Sequence, residues 1–270
     1  MMKLMMKKKT LSDMAEQLTV IKVGGKIVEE PEALAALLDN FANINGNRIL
    51  VHGGGRTATQ VASSLGYETR MIDGRRVTDA DMLQVVTMVY GGLVNKNIVA
   101  GLNARGICAL GMTGADCGVI VSHRRKPNPV DYGFVGDVDR VDSVRLASLI
   151  GQGITPVLAP LTFDGKQHLL NTNADTIAGE TAKAMARIYD VTLVYCFEKR
   201  GVLSNPDDDS SVIPEIHASD FDRLVADGVV SGGMIPKIQN ALQAVEAGVK
   251  QVIITAAQGL DVNSGTKILP

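Results

Sequence analysis

Tryptophan is missing from the 270-residue chain, and aromatic side chains of all kinds amount to 4%. Proteins that grip single-stranded nucleic acid stack bases on aromatic rings, so this composition argues against such a platform. An excess of charge of one sign is missing too: 27 Lys and Arg stand against 29 Asp and Glu, a formal net charge of -2. A chain so balanced casts no global field toward nucleic acid or an anionic membrane, and any basic site must be local. The three cysteines, Cys108, Cys117 and Cys196, make no C-x-x-C pair, and adding His52, His123, His168 and His217 completes no metal-ligand spacing. Free thiols in a reducing cytoplasm are the expectation. Lys7, Lys8 and Lys9 resemble the n-region of a secretory signal, but Asp13 and Glu16 interrupt the apolar stretch that would have to follow. No apolar run approaches the roughly 20 residues of a membrane helix. A cytoplasmic protein with neither membrane nor nucleic acid as partner is expected.

Hydrophobic residues reach 46%, enough for a chain of this length to bury a full core. Short runs rich in Val and Ile recur at 18–23, 48–51, 107–110, 155–158, 192–196 and 252–255, and they read as buried parallel strands. Between them the spacing predicts helices over 31–43, 56–65, 79–104, 142–150, 174–187 and 234–247. Pro31 at a helix start, Asp79 near a first turn, and Gly106 and Gly248 just past helix ends fit cap chemistry. This alternation means crossover units, hence an α/β fold with a helix-covered parallel sheet. Residues 66–77, 118–136 and 161–170 read instead as hairpins or loops inserted between strand and helix, where ligands usually sit. Residues 205–211, with Pro206 and a run of aspartates, are a solvated turn. There is no repeat and no low-complexity linker, so residues 1–270 are expected to form a single domain.

The chain lacks G-x-x-x-x-G-K-[ST], a protein-kinase H-R-D set and a Rossmann fingerprint, which excludes those nucleotide-binding schemes. It does carry Gly24-Gly25 after Ile21-Lys22-Val23, and Gly53-Gly54-Gly55 after Val51-His52, each between a predicted strand and a predicted helix. In an open α/β sheet ligands sit at the strand C-termini, and bare backbone N–H groups there suit a phosphate or a carboxylate. Glycines also permit tight turns and close packing with no ligand, but three in a row after a strand are harder to dismiss. Lys22 is more pointed. A lysine inside a strand of Val and Ile carries a desolvation cost unless an anion faces it, or unless its stem lets the ammonium snorkel to water. Lys237 lies in Ser231-Gly232-Gly233-Met234-Ile235-Pro236-Lys237, a glycine turn entering a helix. Its ammonium either joins the backbone donors there or is a solvated first-turn lysine, which the helix dipole disfavours slightly.

Five motifs follow one another in order: Ile21-Lys22-Val23-Gly24-Gly25, Val51-His52-Gly53-Gly54-Gly55, Gly74-Arg75-Arg76-Val77-Thr78, Asn171-Thr172-Asn173-Ala174-Asp175 and Gly232-Gly233-Met234-Ile235-Pro236-Lys237. In order and spacing, over residues 18 to about 267, they resemble the N-acetylglutamate kinases of the amino acid kinase superfamily. The resemblance implies a three-layer αβα sandwich with a mainly parallel central sheet, usually assembled as a homodimer. It makes residues 18–190 the acyl-glutamate-binding lobe and residues 191–270 the nucleotide-binding lobe. The implied activity is ATP-dependent phosphorylation, with Mg2+, of the side-chain carboxylate of an N-acyl-L-glutamate, in arginine biosynthesis. By the same resemblance Lys22 and Lys237 flank the transferring phosphoryl group and Asp175 positions both lysines. Gly54 and Gly55 bind substrate through backbone N–H groups, Arg76 clamps the α-carboxylate, Asn171 binds the acylamino group, and Gly25 donates to phosphoryl oxygens.

The residue types suit that chemistry. Phosphoryl transfer needs in-line positioning and neutralised oxygens rather than a protein nucleophile. A carboxylate acceptor is already ionised at neutral pH, so no general base is required, and His52 is left to pack or orient the glycine turn. Asp175 is costly as a lone buried acid but compensated between two ammonium groups; an ordinary helix N-terminal acid is the alternative. An arginine fork bonds both oxygens of an α-carboxylate.

The sequence departs from the family in three places. Cys196-Phe197-Glu198-Lys199-Arg200-Gly201 stands where relatives carry a Ser/Thr-Asp pair ahead of a glycine. Glu198 then stands for the aspartate, Glu198 and Gly201 are the expected nucleotide contacts, and Lys199 and Arg200 are candidates for extra phosphate charge. Residues 256–259 lead directly to Gly265-Thr266 without the His and Glu of arginine-regulated relatives, and no long helix is evident before the first strand, so no arginine-inhibited hexamer is expected. Finally, Arg75 replaces a residue that is usually uncharged. With Arg70 and His123-Arg124-Arg125-Lys126 it raises a dicarboxylic acyl group, N-succinyl rather than N-acetyl; solvated loop charges are the plain alternative.

Glutamate 5-kinase, aspartokinase, carbamate kinase and uridylate kinase share the sheet and turns, so fold alone does not choose among them. The Gly74 to Thr78 and Asn171 to Asp175 motifs favour the acyl-glutamate branch. A noncatalytic sensor that keeps an amino-acid pocket is the alternative from another class. Loss of Lys22, Asp175 or Lys237 would favour it, and all three are present, but the altered nucleotide loop keeps it open.

Overall fold

Each of the six apolar runs becomes a strand of one sheet in the computed structural model, which describes residues 15–197, 199–205, 207–231, 234–257, 260 and 264–270. The strands in chain order are β1 (Gln17–Val23), β2 (Asn47–His52), β3 (Met71–Ile72), β4 (Arg75–Arg76), β5 (Ala109–Met112), β6 (Ile120–Arg124) and β7 (Gly136–Val141). They continue with β8 (Thr155–Leu158), β9 (Leu161–Phe163), β10 (Leu169–Asn171), β11 (Asp190–Phe197), β12 (Glu215–His217), β13 (Gln251–Ala256) and β14 (Thr266–Leu269). The main sheet has the order β12-β14-β13-β11-β1-β2-β8-β5. Its pairs are parallel except β13 with β14. β1 is buried along nearly its whole length, as a central strand covered on both faces must be.

Helices cover both faces. Residues of α2 (Pro31–Ala42), α3 (Gly55–Ser64), α4 (Ala80–Val86) and α5 (Asn95–Asn103) pack one core with Ile21, Leu50 and Val194. Residues of α6 (Ser143–Gly151), α7 (Ala174–Met185) and α9 (Met234–Glu246) pack the other with Val20, Ile49 and Leu193. Each fully buried Leu, Ile or Phe here contributes roughly 1.5–3 kcal/mol. The result is the expected three-layer αβα sandwich with a mainly parallel sheet. Pro31 opens α2, and Asp79 and Asn173 cap α4 and α7 by accepting backbone N–H bonds.

Three differences from the sequence reading have physical causes. β5 starts two residues later than the apolar run, because Gly106, at φ +77°, turns the chain and Ile107 N still closes on Leu102 O. The helix expected over 79–104 runs as Ala80–Asn103, but Thr87–Val94 is wound in wide π turns. This helix has the length and hydropathy of a membrane span, yet Val85, Val86, Val89, Val94, Ile98 and Leu102 are buried in the core. The hairpins expected at 118–136 and 161–170 join in a second sheet, β10-β9-β6-β7, tied to its surroundings by bridges Thr78–Gly133 and Val135–Asn171. The hairpin of β3 and β4 turns at Asp73 and Gly74, both at positive φ.

This topology fixes where a ligand goes. From β1 the chain builds outward through β2 on one side and later through β11 on the other, so the C-terminal ends of these neighbours form a switch-point crevice. Lys22, the first glycine pair and His52 stand at those ends.

Candidate active site

The two glycine turns meet at the crevice. Gly24 leads into a short helix, α1 (Gly25–Glu29), and Gly54 precedes α3. Gly53 N donates to Val23 O at 3.0 Å. A Cβ on Gly53 would lie 2.9 Å from Gly25 N, so side chains there would force the turns apart. Gly54 has φ +154° and ψ 18°, a conformation reserved for glycine. A Cβ there would also press on Tyr90 and Val94, at 3.2 and 3.3 Å. Glu29 joins the turns from behind: its Oε1 accepts from Thr57 N at 2.8 Å and Thr57 Oγ1 at 3.1 Å, satisfying a free N–H of the first turn of α3.

Beside the first turn, Lys22 Nζ lies 2.8 Å from Asp175 Oδ1. The lysine side chain keeps 10% exposure and the carboxylate 31%, so the pair is largely withdrawn from water yet opens toward the crevice. Asp175 is held in the first turn of α7 by the Asn173 cap, whose Oδ1 accepts from Asp175 N and Thr176 N. Lys237 reaches the same region from the first turn of α9. Its Nζ sits 3.9 Å from the centroid of the Phe197 ring, and Lys22 Nζ sits 5.3 Å from that centroid. Phe197 is stacked on Tyr195, whose hydroxyl donates to Asp175 O. One aromatic ring therefore serves two ammonium groups. The sequence signalled Phe197 only as a departure from a motif.

On the β2 side a cavity of about 220 Å³ is lined by Gly53, Gly54, Gly55, Arg75, Arg76 and Asn171, with Met71, Tyr90 and Val135 among its walls. Arg76 is 7% exposed. Its Nη2 donates to Gly55 O at 2.7 Å and Thr59 Oγ1 at 2.9 Å, and its Nη1 donates to Thr69 Oγ1. Asn171 Nδ2 donates to Thr78 Oγ1, which donates to Arg76 O, so the amide and the arginine strand are linked. Burial raises the Tyr90 hydroxyl above its ordinary pKa, leaving a neutral phenol against Gly54. Tyr90 and Glu29 belong to contacts between distant segments, and no local signal in the sequence marked them; Thr78 was marked only as the last residue of a motif.

A second cavity, of about 400 Å³, opens on the β11 side and is lined by Gly24, Gly25, Phe197, Lys199, Gly201 and Lys237, with Met234 and Ile254 as apolar wall. Gly201 has a packing reason to lack a side chain, since a Cβ would lie 2.7 Å from Thr266 Oγ1. Lys199 is paired with Asp209 at 2.6 Å. Burial pushes the Cys196 thiol up to about 12, so it is an inert wall. Glu198 and Gly232-Gly233 lie outside the described residues. Among the described residues no group of three or more His, Cys, Asp or Glu gathers as a metal cage.

Of the 123–126 run, Arg124 pairs with Asp131 and Arg125 with Asp137, and His123 Nδ1 lies 2.6 Å from Asp139 Oδ1. Arg75 alone of the extra cations lines the first cavity; Arg70 lines a separate hollow with Glu68 and Asp81.

The sequence matches the profile of the Amino acid kinase family over residues 17–256. An acetylglutamate kinase of Bacteroides thetaiotaomicron is 63% identical over 255 residues, which span 94% of this chain and 99% of that protein. An acetylglutamate kinase of Bacteroides fragilis is 62% identical, covering 94% of this chain and 98% of its own length. Among solved structures, smu.665 of Streptococcus mutans UA159 aligns with a TM-score of 0.76 and 28% identity over 93% of this chain and 98% of that one.

Proposed function

The chain belongs to the amino acid kinase family, and from that premise we propose that it transfers the γ-phosphoryl group of ATP to the side-chain carboxylate of an N-acyl-L-glutamate. The observation that carries the reading is the Lys22–Asp175 ion pair standing where the two glycine turns touch. One cavity there is lined by Arg75, Arg76 and Asn171, the other by Gly24, Gly25 and Gly201 with Lys199 and Lys237. In this reading residues 18–190 hold the acyl-glutamate and residues 191–270 hold the nucleotide.

Arg76 supplies the cation for the α-carboxylate, exchanging its present Nη2 bonds to Gly55 O and Thr59 Oγ1 for the ligand, while Asn171 meets the acylamino group and the N–H groups of Gly54 and Gly55 the carboxylate to be phosphorylated. Gly25 donates to the phosphoryl oxygens, while Gly201 and Glu198 belong to the nucleotide side. Lys22 and Lys237 neutralise the charge that spreads over the nonbridging and leaving oxygens, and Asp175 holds Lys22 in place. An attacking carboxylate oxygen forms the new P–O bond as the bond to ADP breaks, so no proton has to be removed. With no carboxylate cage among the described residues, Mg2+ would be carried by the ATP phosphates rather than by protein ligands and would supply further neutralising charge.

The acyl group is acetyl or succinyl. Arg75 lines the substrate cavity and favours a second carboxylate, whereas Arg124 and Arg125, already paired with Asp131 and Asp137, give that reading no support. Arg75→Leu is expected to shift the succinyl-to-acetyl ratio of kcat/KM about tenfold toward acetyl; an unaltered ratio removes the succinyl reading. The step belongs to arginine biosynthesis in the cytoplasm, and the working unit is a homodimer. ADP release from MgATP tests the class: it is expected with N-acetyl- or N-succinyl-L-glutamate and not with L-glutamate. Silence with all three would favour an amino-acid-sensing regulator instead.

A further inference from the structure

A turn of three glycines is the most pliable backbone available, yet it has to aim its N–H groups in one direction for a carboxylate to use them. The peptide joining Gly53 to Gly54 is flanked by residues without Cβ atoms and can rotate at small cost. In a planar trans peptide the carbonyl of one residue and the N–H of the next point opposite ways. Whatever holds the Gly53 carbonyl therefore aims the Gly54 N–H.

His52 holds it: Nδ1 lies 2.7 Å from Gly53 O. A carbonyl only accepts, so Nδ1 carries the proton and Nε2 is the acceptor of the ring. Nε2 lies 3.0 Å from Asn95 Nδ2, and the same Nδ2 donates to Val157 O at 3.0 Å. The Asn95 oxygen accepts from Lys96 Nζ at 3.0 Å, and Lys96 donates as well to Gly111 O at 3.1 Å. Amide orientation and ring tautomer are thus fixed from both ends. His52 is 0% and Asn95 1% exposed, so no water competes for these bonds. Burial also drops the imidazole pKa to about 4, which keeps the ring neutral. The sheet makes room for the chain of bonds, since a Cβ on Gly111 would lie 1.8 Å from Asn95 Oδ1.

We propose that His52, Asn95 and Lys96 form a positioning chain that locks the Gly53–Gly54 peptide plane and so directs the Gly54 N–H at the substrate carboxylate. None of the three touches the substrate; they act through the backbone. Because Lys96 is exposed beside β5, the lock runs from an outer strand of the sheet to the floor of the substrate cavity.

The inference rests on the proposed assignment of Gly54 and Gly55 to the carboxylate, so one readout is chosen that needs no substrate. Nitrogen-15 spectra of the histidine-labelled full chain are expected to show His52 as the neutral Nδ1–H tautomer, unchanged from about pH 8 to about pH 5. An Nε2–H tautomer, or titration in that range, overturns the lock whatever the substrate proves to be. In kinetics, Asn95→Leu is expected to raise KM for the N-acyl-L-glutamate about tenfold, with KM for ATP within about twofold of the parent. Lys96→Met, at the exposed end, is expected to give a smaller rise of about threefold and keeps the comparison open if the first variant does not fold. An Asn95→Leu protein with a lowered melting temperature but parental KM for the acyl-glutamate would mean a purely structural role and sink the proposal. A parent inactive on every N-acyl-L-glutamate would refute the substrate assignment instead, while the spectra still decide the lock.

Discussion

Lys22 was legible because its side chain contradicts its neighbours: a cation in a strand of Val and Ile demands a partner. The structure supplies Asp175 at 2.8 Å. Lys22→Met should lower kcat about 10²- to 10³-fold, the usual cost of deleting one preorganised donor at a developing charge, with the acyl-glutamate KM little changed. A loss below about tenfold would mean that the ammonium does not face the phosphoryl group. His52 carries a different prediction. Burial holds its pKa at about 4, against about 6.5 in an unfolded chain. As pH falls the unfolded chain takes the proton first. The stability carried by the neutral ring is therefore complete above about pH 6.5, is lost as pH falls toward about 4, and changes no further below; the whole effect is about 3 kcal/mol. Urea midpoints measured across that window should fall more steeply for the parent than for His52→Gln, and equal slopes would contradict the burial. Phe197, shared by two lysines, was not legible as a platform, because only the fold brings α9 to the end of β11.

At the scale of elements, the glycine turns were legible as anion sites, but the reason for each glycine was not. Gly54 answers to its φ of +154°, Gly53 to the backbone of Gly25, and Gly201 to Thr266. Gly54→Ala should reduce kcat/KM at least about tenfold and cost about 1–3 kcal/mol of stability; a fully active, equally stable variant would refute the tight junction. Six of the eight strands of the main sheet follow from their short apolar runs, since local apolar patterning reports burial directly. The second sheet does not. Its bridges join Thr78 to Gly133 and Val135 to Asn171, pairs far apart in sequence whose short partners have no pattern of their own. β12 and β14, three and four residues long at one edge of the main sheet, were not read as strands either.

For the molecule as a whole, the sheet order places the crevice at the ends of β1, β2 and β11, and Lys22, the Gly24–Gly25 and Gly53–Gly55 turns, Asp175 and Lys237 gather there. β5 closes the sheet at one side and carries Leu110, exposed at 40%, while Met88 and Leu93 are exposed at 53% and 51% on the 80–103 helix. The homodimer proposed above is expected to use this edge. Sedimentation should give twice the chain mass of 28.6 kDa, and Leu110→Asp should return the monomer; an unaltered dimer would move the interface elsewhere. The central claim is that a carboxylate is the acceptor. The most direct test is to incubate the full chain with MgATP, each of N-acetyl-L-glutamate, N-succinyl-L-glutamate and L-glutamate, and hydroxylamine, and to measure the hydroxamate. The account predicts hydroxamate from one or both acylated substrates and none from L-glutamate; ADP release without hydroxamate, or product from L-glutamate alone, would contradict it.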